Sequence, residues 1–196
     1  MRVGPPTPTP HVFSTLAIGC AWATGLMKSV TWLGSTVVLI PLVLVVGGYF
    51  VLRRRDWKPL GKLGASLLGA VVLYDIVKPL VARARPPVRF DVGYTFFGFA
   101  FPSGHTTQAI AVWGMLALPA AGMMRRRRYV PFVVAPLIVL VVGASRIYLG
   151  AHWLSDVLGG FALGGLWLCL VVMAMLVRAR PGGRDESIAE VVQRAA

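Results

Sequence analysis

Long runs of apolar residues, separated by short polar stretches, dominate the pattern of this chain. Five runs meet or approach the ~20 residues that a helix needs to cross a bilayer: residues 33–52, 60–77, 106–123, 130–144 and 154–177. A sixth run, residues 12–27, is shorter and contains hydroxyl side chains, so it is predicted either to span or to lie at the membrane surface. The pattern predicts an all-α integral membrane bundle of about six helices.

The composition supports a membrane protein over a soluble domain. Hydrophobic residues make up 57% of the 196 residues and charged residues only 14%, whereas a soluble domain has about 45–50% apolar residues. The net charge is +13, and a strongly positive charge also occurs in nucleic-acid-binding proteins. Here, however, the basic residues lie between the apolar runs, which is typical of membrane topology, so no nucleic-acid partner is expected.

One membrane domain is predicted, with a polar segment on either side. Residues 1–11 are rich in proline and lack the features of a cleavable signal peptide, so they are predicted to be a disordered leader. Residues 12–178 form the membrane domain, and residues 179–196 form a polar cytoplasmic tail. The pattern predicts no particular oligomeric state.

Lysine and arginine residues cluster at every second boundary between the apolar runs. The clusters follow residues 52, 123 and 177, and the positive-inside rule predicts that this side is cytoplasmic. Other basic residues fall at the opposite ends of the runs, where the rule disfavours them: Lys78, Arg83, Arg85, Arg89 and Arg146. We therefore expect an anionic ligand at that side, with Arg83 and Arg89 adding attraction for anionic headgroups.

The sequence PSGH, residues 102–105, leads into the third apolar run. Ser103 is a favourable N-cap, and Gly104 lets the backbone approach a ligand closely, so the free N–H groups of the helix start would form an anion site. His105, in the first turn, can give or take a proton beside that anion. The other interpretation of PSGH is a simple helix cap followed by a histidine at the membrane interface.

The stretch SRIYLGAHWLSD, residues 145–156, joins the last two apolar runs. His152 and Asp156 are four residues apart, which places them on one face of a helix. A carboxylate that holds one imidazole nitrogen leaves the other nitrogen free to act as a base or as a nucleophile. The other interpretation is that the two side chains only satisfy each other's hydrogen-bonding groups at the start of a helix.

Lys78, Arg85 and Arg146 are the cations that best suit a phosphoryl group. Guanidinium groups bind phosphate oxygens in a bidentate manner, and lysine supplies a point charge. The nearby metal-ligand types are His105, His152 and Asp156, and the surrounding cations would repel a divalent ion. Metal-independent chemistry without a cofactor is expected.

Together, these stretches resemble the signatures of the type 2 phosphatidic acid phosphatase family, K-x6-R-P, P-S-G-H and S-R-x5-H-x3-D. All three are complete, and the resemblance covers roughly residues 33–177. It implies that His152 attacks phosphorus to form a phosphohistidine, that Asp156 orients it, and that His105 protonates the leaving group. It implies phosphate binding by the remaining motif residues, which are Lys78, Arg85, Ser103, Gly104 and Arg146.

The resemblance implies a membrane lipid phosphatase that acts at the extracytoplasmic face. The substrates it implies include undecaprenyl diphosphate, phosphatidylglycerophosphate and phosphatidic acid. A composition rich in Ala, Gly and Arg suggests a bacterial cytoplasmic (inner) membrane and places undecaprenyl diphosphate first. Two alternatives stay open: a non-catalytic protein that binds anions or lipid headgroups, and a vanadate-dependent haloperoxidase-like activity, which uses similar motifs.

Overall fold

The computed structural model describes residues 10–87 and 97–179, and this part of the chain is helical without any strand. It contains six α-helices: α1 (Pro10–Thr31), α2 (Thr36–Arg54), α3 (Lys58–Val81), α4 (Gly104–Met123), α5 (Val130–Tyr148) and α6 (Leu154–Ala179). Short 3-10 turns, Trp32–Gly34 and Arg125–Arg127, precede α2 and α5. The predicted all-α bundle of about six helices is confirmed.

Four of the described helices, α2, α3, α5 and α6, are long and apolar enough to cross a membrane. The fifth predicted span, α4, lies at the centre of the bundle and packs against α2, α3, α5 and α6. Its first turns bury Thr106, Thr107 and Gln108 among neighbouring helices. Because protein surrounds this helix, it carries polar side chains that a lipid-facing helix could not.

The ambiguous run at residues 12–27 belongs to α1, which packs along α5. Its 22 residues correspond to about 33 Å of helix, enough to cross a hydrocarbon core of about 30 Å. The Thr24 Oγ1 atom lies 3.1 Å from the Tyr148 hydroxyl. Because α1 begins at Pro10, the last two residues of the predicted leader are helical, and residues 1–9 lie outside the described part.

The basic clusters lie at one end of the bundle because successive helices run in opposite directions. Lys58 of α3 and Arg178 of α6 line one groove, and Lys62 of α3 and Pro119 of α4 line a neighbouring cavity. The other end of the bundle holds the end of α3, the start of α4, the end of α5 and the start of α6. The three motifs therefore meet at the end opposite the basic clusters.

Two glycine residues let α6 approach α4 closely. A Cβ atom on Gly164 would lie 2.5 Å from the carbonyl oxygen of Thr107, and one on Gly160 would lie 2.5 Å from Thr106 Oγ1. Small residues four positions apart commonly allow such contacts between membrane helices. This contact holds the start of α4, with its PSGH sequence, against α6.

Replacing Gly164 by alanine is expected to lower the thermal stability of the bundle. The added methyl group meets backbone atoms of α4, which cannot move aside as a side chain can, and overpacking of this kind costs about 1–3 kcal/mol. The melting temperature of the purified protein in detergent measures the effect. Gly165→Ala is the matched control, because nothing lies within 4 Å of a Cβ at that position. Equal melting temperatures for both variants would contradict the close contact.

Candidate active site

His152 lies in the loop between α5 and α6, beside Asp156 in the first turn of α6. The His152 Nδ1 atom is 3.6 Å from Asp156 Oδ2, and the two residues are 4% and 0% exposed. The prediction that they share one helix face is wrong, because α6 begins only at Leu154. They meet because the chain turns at Gly150, whose φ of 67° suits glycine.

Asp156 is held on three sides. Its Oδ2 atom accepts a hydrogen bond of 2.8 Å from the backbone N–H of Trp153, which is half of a capping box at the start of α6. Its Oδ1 atom lies 3.0 Å from Arg83 Nη1. Its own carbonyl accepts a 2.9 Å hydrogen bond from the Ser103 N–H. The carboxylate is therefore fixed before any ligand binds.

Arg83 has a role in this site that the sequence did not indicate. It was expected to attract headgroups together with Arg89, which lies outside the described residues. Instead, its Nη1 atom donates to Asp156 and to Ser155 Oγ, and its guanidinium lies 5.8 Å from the centroid of the Trp153 ring. The positive charge thus neutralises the buried carboxylate, while the neighbouring histidine remains uncharged.

Replacing Arg83 by alanine is expected to lower kcat by about 10- to 100-fold, because one charge-assisted hydrogen bond to Asp156 is lost. KM should change little, because Arg83 contacts the orienting carboxylate. Arg83→Lys restores the charge and should recover part of kcat. Initial rates at saturating substrate measure these changes, with Arg127→Ala at the other end of the bundle as control. A rise in KM at unchanged kcat would instead place Arg83 on the substrate.

At the start of α4, where an anion site is predicted, Ser103 does not cap the helix with its side chain as expected. Ser103 stands at the N-cap position without a side-chain capping hydrogen bond, and its fully buried Oγ has no hydrogen-bond partner among the described residues. Its carbonyl accepts hydrogen bonds from both Thr106 Oγ1 and Thr107 Oγ1. The hydroxyl and the first N–H groups of α4 are therefore left for a ligand.

Gly104 lets the start of α4 lie close to a neighbouring aromatic side chain. A Cβ atom there would lie 3.2 Å from the ring of Tyr74 in α3. The same ring lies 4.6 Å from Lys78 Nζ, and Lys78 also pairs with the exposed Asp75 at 3.9 Å. Lys78 and the start of α4 thus both lie against the same aromatic ring.

Arg85 is held mainly by backbone carbonyl groups. It donates to Gly98, Ala151 and Phe97 at 3.0, 2.8 and 2.9 Å. Its Nη1 atom is also 3.5 Å from His152 Nε2. Arg85 therefore connects the loop after α3 with the loop before α6, and it faces the imidazole nitrogen that points away from Asp156.

Arg146, in the last turn of α5, is 6% exposed. Its Nη1 atom donates to Thr31 Oγ1 at 2.9 Å, and its carbonyl accepts hydrogen bonds from the N–H groups of Ala151 and His152. Arg146 thus positions the loop that carries the histidine, and α1 supplies Thr31 as its partner. This contribution of α1 to the site was not predicted from the sequence.

The predicted site residues come together at this one end of the bundle. His105 is close enough to Arg146, Lys78 and Arg85 to interact electrostatically with all three, and Lys78 is repelled by both arginines. Such mutual repulsion favours an anion bound between them. The described residues include no group of three or more His, Cys, Asp or Glu side chains that could hold a metal ion.

The imidazole of His152 is neutral in this environment. Burial, followed by the positive charges of Arg146 and Arg85, lowers the pKa of His152 from 6.5 to about 2. A lowered pKa means that the unprotonated form persists as the pH falls from neutral toward acid values. The ring nitrogen facing Arg85 therefore keeps its lone pair at physiological pH when Nδ1 carries the proton.

Fold and site together define an integral membrane protein whose helices gather two histidines, a buried carboxylate and several cations at one end of the bundle. The chain belongs to the PAP2 superfamily, whose sequence profile matches residues 59–180. It is 32% identical over 154 residues to phosphatidylglycerophosphatase B of Bacillus subtilis, covering 76% of this chain and 74% of that protein. It is 33% identical over 151 residues to decaprenylphosphoryl-5-phosphoribose phosphatase of Mycobacterium tuberculosis, covering 74% of each protein.

A solved structure agrees with the fold. The crystal structure of a transmembrane PAP2-type phosphatidylglycerolphosphate phosphatase from Bacillus subtilis matches with a TM-score of 0.75, 28% identity and 90% coverage of both chains. The chain is therefore a membrane lipid phosphatase, a hydrolase of phosphoric esters. The alternative of a non-catalytic anion-binding protein is not supported.

Proposed function

We propose that this protein hydrolyses the terminal phosphate of a lipid through a phosphohistidine intermediate on His152. The observation that carries the proposal is the orientation of the imidazole: Nδ1 faces Asp156 at 3.6 Å, and Nε2 faces Arg85 at 3.5 Å. A carboxylate near one ring nitrogen and cations near the other suit a histidine nucleophile that attacks phosphorus in line.

In the first step, His152 Nε2 attacks the phosphorus atom and the bond to the lipid oxygen breaks. Asp156 stabilises the positive charge that develops on the imidazole. His105, protonated beside the negative charge of the bound phosphate, donates the proton that the departing oxygen needs. The lipid alcohol leaves, or a lipid monophosphate leaves when the substrate is a diphosphate. The phosphoryl group then remains bonded to nitrogen.

The phosphoryl oxygens are held by the cations and by the start of α4. Lys78, Arg85 and Arg146 offset the negative charge that spreads over these oxygens in the transition state. Ser103 Oγ and the Gly104 N–H add hydrogen bonds of the kind that a helix N-terminus offers an anion. The buried, unpartnered Ser103 hydroxyl supports this assignment.

In the second step, a water molecule attacks phosphorus and the nitrogen–phosphorus bond breaks. His105, left unprotonated by the first step, takes a proton from that water. Inorganic phosphate leaves, and His152 returns to its neutral form. All of these steps use residues of this chain and need no metal ion.

The substrate is proposed to be a lipid phosphate monoester or diphosphate of the bacterial inner membrane. Similarity to phosphatidylglycerophosphatase B of Bacillus subtilis favours phosphatidylglycerophosphate over undecaprenyl diphosphate, which the composition had placed first among the lipids that the family resemblance implies. The test is phosphate release by the purified protein, in EDTA, from these two lipids and phosphatidic acid. Release from at least one lipid in EDTA is expected. Strict dependence on a divalent ion would overturn the proposal, as would vanadate-dependent halide oxidation without phosphate release.

The site is proposed to face the extracytoplasmic side. The basic clusters at the other end of the bundle support this orientation, because lysine and arginine are retained on the cytoplasmic side. Phe97, beside the site, is 83% exposed, and Arg127 belongs to the basic end.

Cysteine labelling is expected to confirm this orientation. In a background with Cys20 and Cys169 replaced by serine, Phe97→Cys should react with a membrane-impermeant maleimide in intact cells. Arg127→Cys should react only after the membrane is made permeable. The reverse labelling pattern would place the site in the cytoplasm.

A further inference from the structure

A groove of about 830 Å³ lies at the basic end of the bundle, between the start of α3 and the end of α6. It is separate from the phosphatase site, which occupies the opposite end of the same helices. Along α3, the residues that line it include Lys58, Lys62 and Ala65, which follow helical spacing along one face. Along α6, Trp167, Val171 and Arg178 do the same.

α3 and α6 are in contact at the inner end of the groove and lie apart toward the basic end, which leaves the groove open. At its inner end, the Trp167 ring lies directly against Gly69, and its Nε1 donates to the Ser66 carbonyl at 3.0 Å. Toward the basic end, α3 presents Gly61 and Ala65 to the groove, and these small residues leave space between the helices. Trp167 therefore closes the inner end of a groove whose walls are otherwise mostly apolar.

Three cations surround the outer end of the groove, Lys58, Lys62 and Arg178. None of them forms an ion pair with a carboxylate within residues 10–87 and 97–179. Clustered cations at the end of apolar helices attract anionic lipid headgroups. The charge at this end therefore matches a phosphate group.

The depth of the groove matches a single leaflet. Trp167 and Arg178 are eleven residues apart on α6, which corresponds to about 16 Å along the helix axis. The hydrocarbon core of a bilayer is about 30 Å thick, so one leaflet contributes about 15 Å. An acyl chain whose headgroup lies at the three cations would reach Trp167 at its far end.

We propose that this groove binds one anionic glycerophospholipid, with its phosphate at Lys58, Lys62 and Arg178 and its acyl chains along α3 and α6 up to Trp167. The lipid is a bound structural partner and not the substrate, because the histidine nucleophile lies at the other end of the bundle. It would hold α3 and α6 together where these helices do not contact each other directly.

Native mass spectrometry of the full chain, released from detergent with phosphatidylglycerol or phosphatidylcholine as the probe, tests the proposal. The triple variant Lys58→Gln, Lys62→Gln, Arg178→Gln removes the three cations. The matched control is Arg53→Gln, Arg54→Gln, Arg127→Gln, which removes three charges at the same end of the bundle but outside the groove. Ala65→Phe fills the groove without changing its charge.

We expect one phosphatidylglycerol per chain, bound about 10- to 100-fold more weakly by the triple variant and by Ala65→Phe. The control triple variant should bind within about threefold of the unmodified protein, and all variants that melt normally should release phosphate. Equal weakening by both triple variants, or equal binding of phosphatidylcholine, would overturn the proposal. If phosphatidylglycerol binds only after residues 180–196 are removed, that segment is the occupant of the groove. If the protein forms a lipid-free dimer that Ala65→Phe prevents, the occupant is a second copy of the chain.

Discussion

Replacing His152 by alanine is expected to abolish phosphate release, with a fall in kcat of about 10⁴-fold or more. The residue supplies the attacking nitrogen, and removal of an enzyme nucleophile leaves only the contribution of binding and charge stabilisation. Initial rates of phosphate release from the best substrate of the panel measure the loss. Lipid binding should persist, because Lys78, Arg85 and Arg146 are unchanged.

Because His152 is buried, a variant of similar size separates lost chemistry from lost folding. His152→Gln should be as inactive as His152→Ala while its melting temperature stays close to that of the unmodified protein. His11→Ala is the matched control, since His11 is the one of the three histidines of the chain that has no assigned role. Turnover by the glutamine variant within about tenfold of the unmodified protein is incompatible with a phosphohistidine on this residue.

Replacing Asp156 by asparagine is expected to lower kcat by about 10³-fold. The amide oxygen still accepts a hydrogen bond from the Trp153 N–H, so the start of α6 keeps its cap. The negative charge is lost, however, and with it the stabilisation of the imidazolium and the preference for the productive tautomer of His152. The effect should appear in kcat, because Asp156 does not contact the phosphoryl oxygens.

Asp56→Asn is the matched control for this variant. Asp56 also accepts a hydrogen bond from a helix-start N–H, that of Lys58 at 2.9 Å, but at the opposite end of the bundle. The same chemical change should leave kcat within about twofold there. If Asp156→Asn lowers kcat no more than Asp56→Asn does, the carboxylate does not orient the nucleophile.

The helices themselves were largely predictable from apolar runs, and their ends were not. Residues 60–77 are the apolar part of α3, which extends over Lys58–Val81. The helix continues into polar residues because proline suits its first turn, and because Lys78 finds an aromatic ring and a carboxylate at its last turn. A hydropathy window detects the lipid-facing part of a helix and misses these interfacial turns.

Contacts between distant residues account for the part of the site that the sequence did not predict. Arg83 and Asp156 are separated by 73 positions, and Thr31 and Arg146 by 115. No periodicity within one segment connects such pairs, because they meet only when the helices pack, α3 and α6 around α4 and α1 directly on α5. His152 and Asp156 were correctly predicted to be neighbours, but on one turn of a helix. In the structure, His152 lies in the loop after Gly150 and Asp156 in the first turn of α6, and a spacing of four residues is compatible with both arrangements.

A covalent phosphohistidine on His152 is tested most directly by trapping that intermediate. The purified protein is incubated with a lipid substrate labelled with ³²P in its terminal phosphate, quenched in alkali, digested and separated into peptides. We expect an acid-labile, alkali-stable label on the peptide that contains His152, and no such label in His152→Gln. A label on the peptide that contains His105 would contradict it, as would turnover of the labelled lipid without any label on the protein.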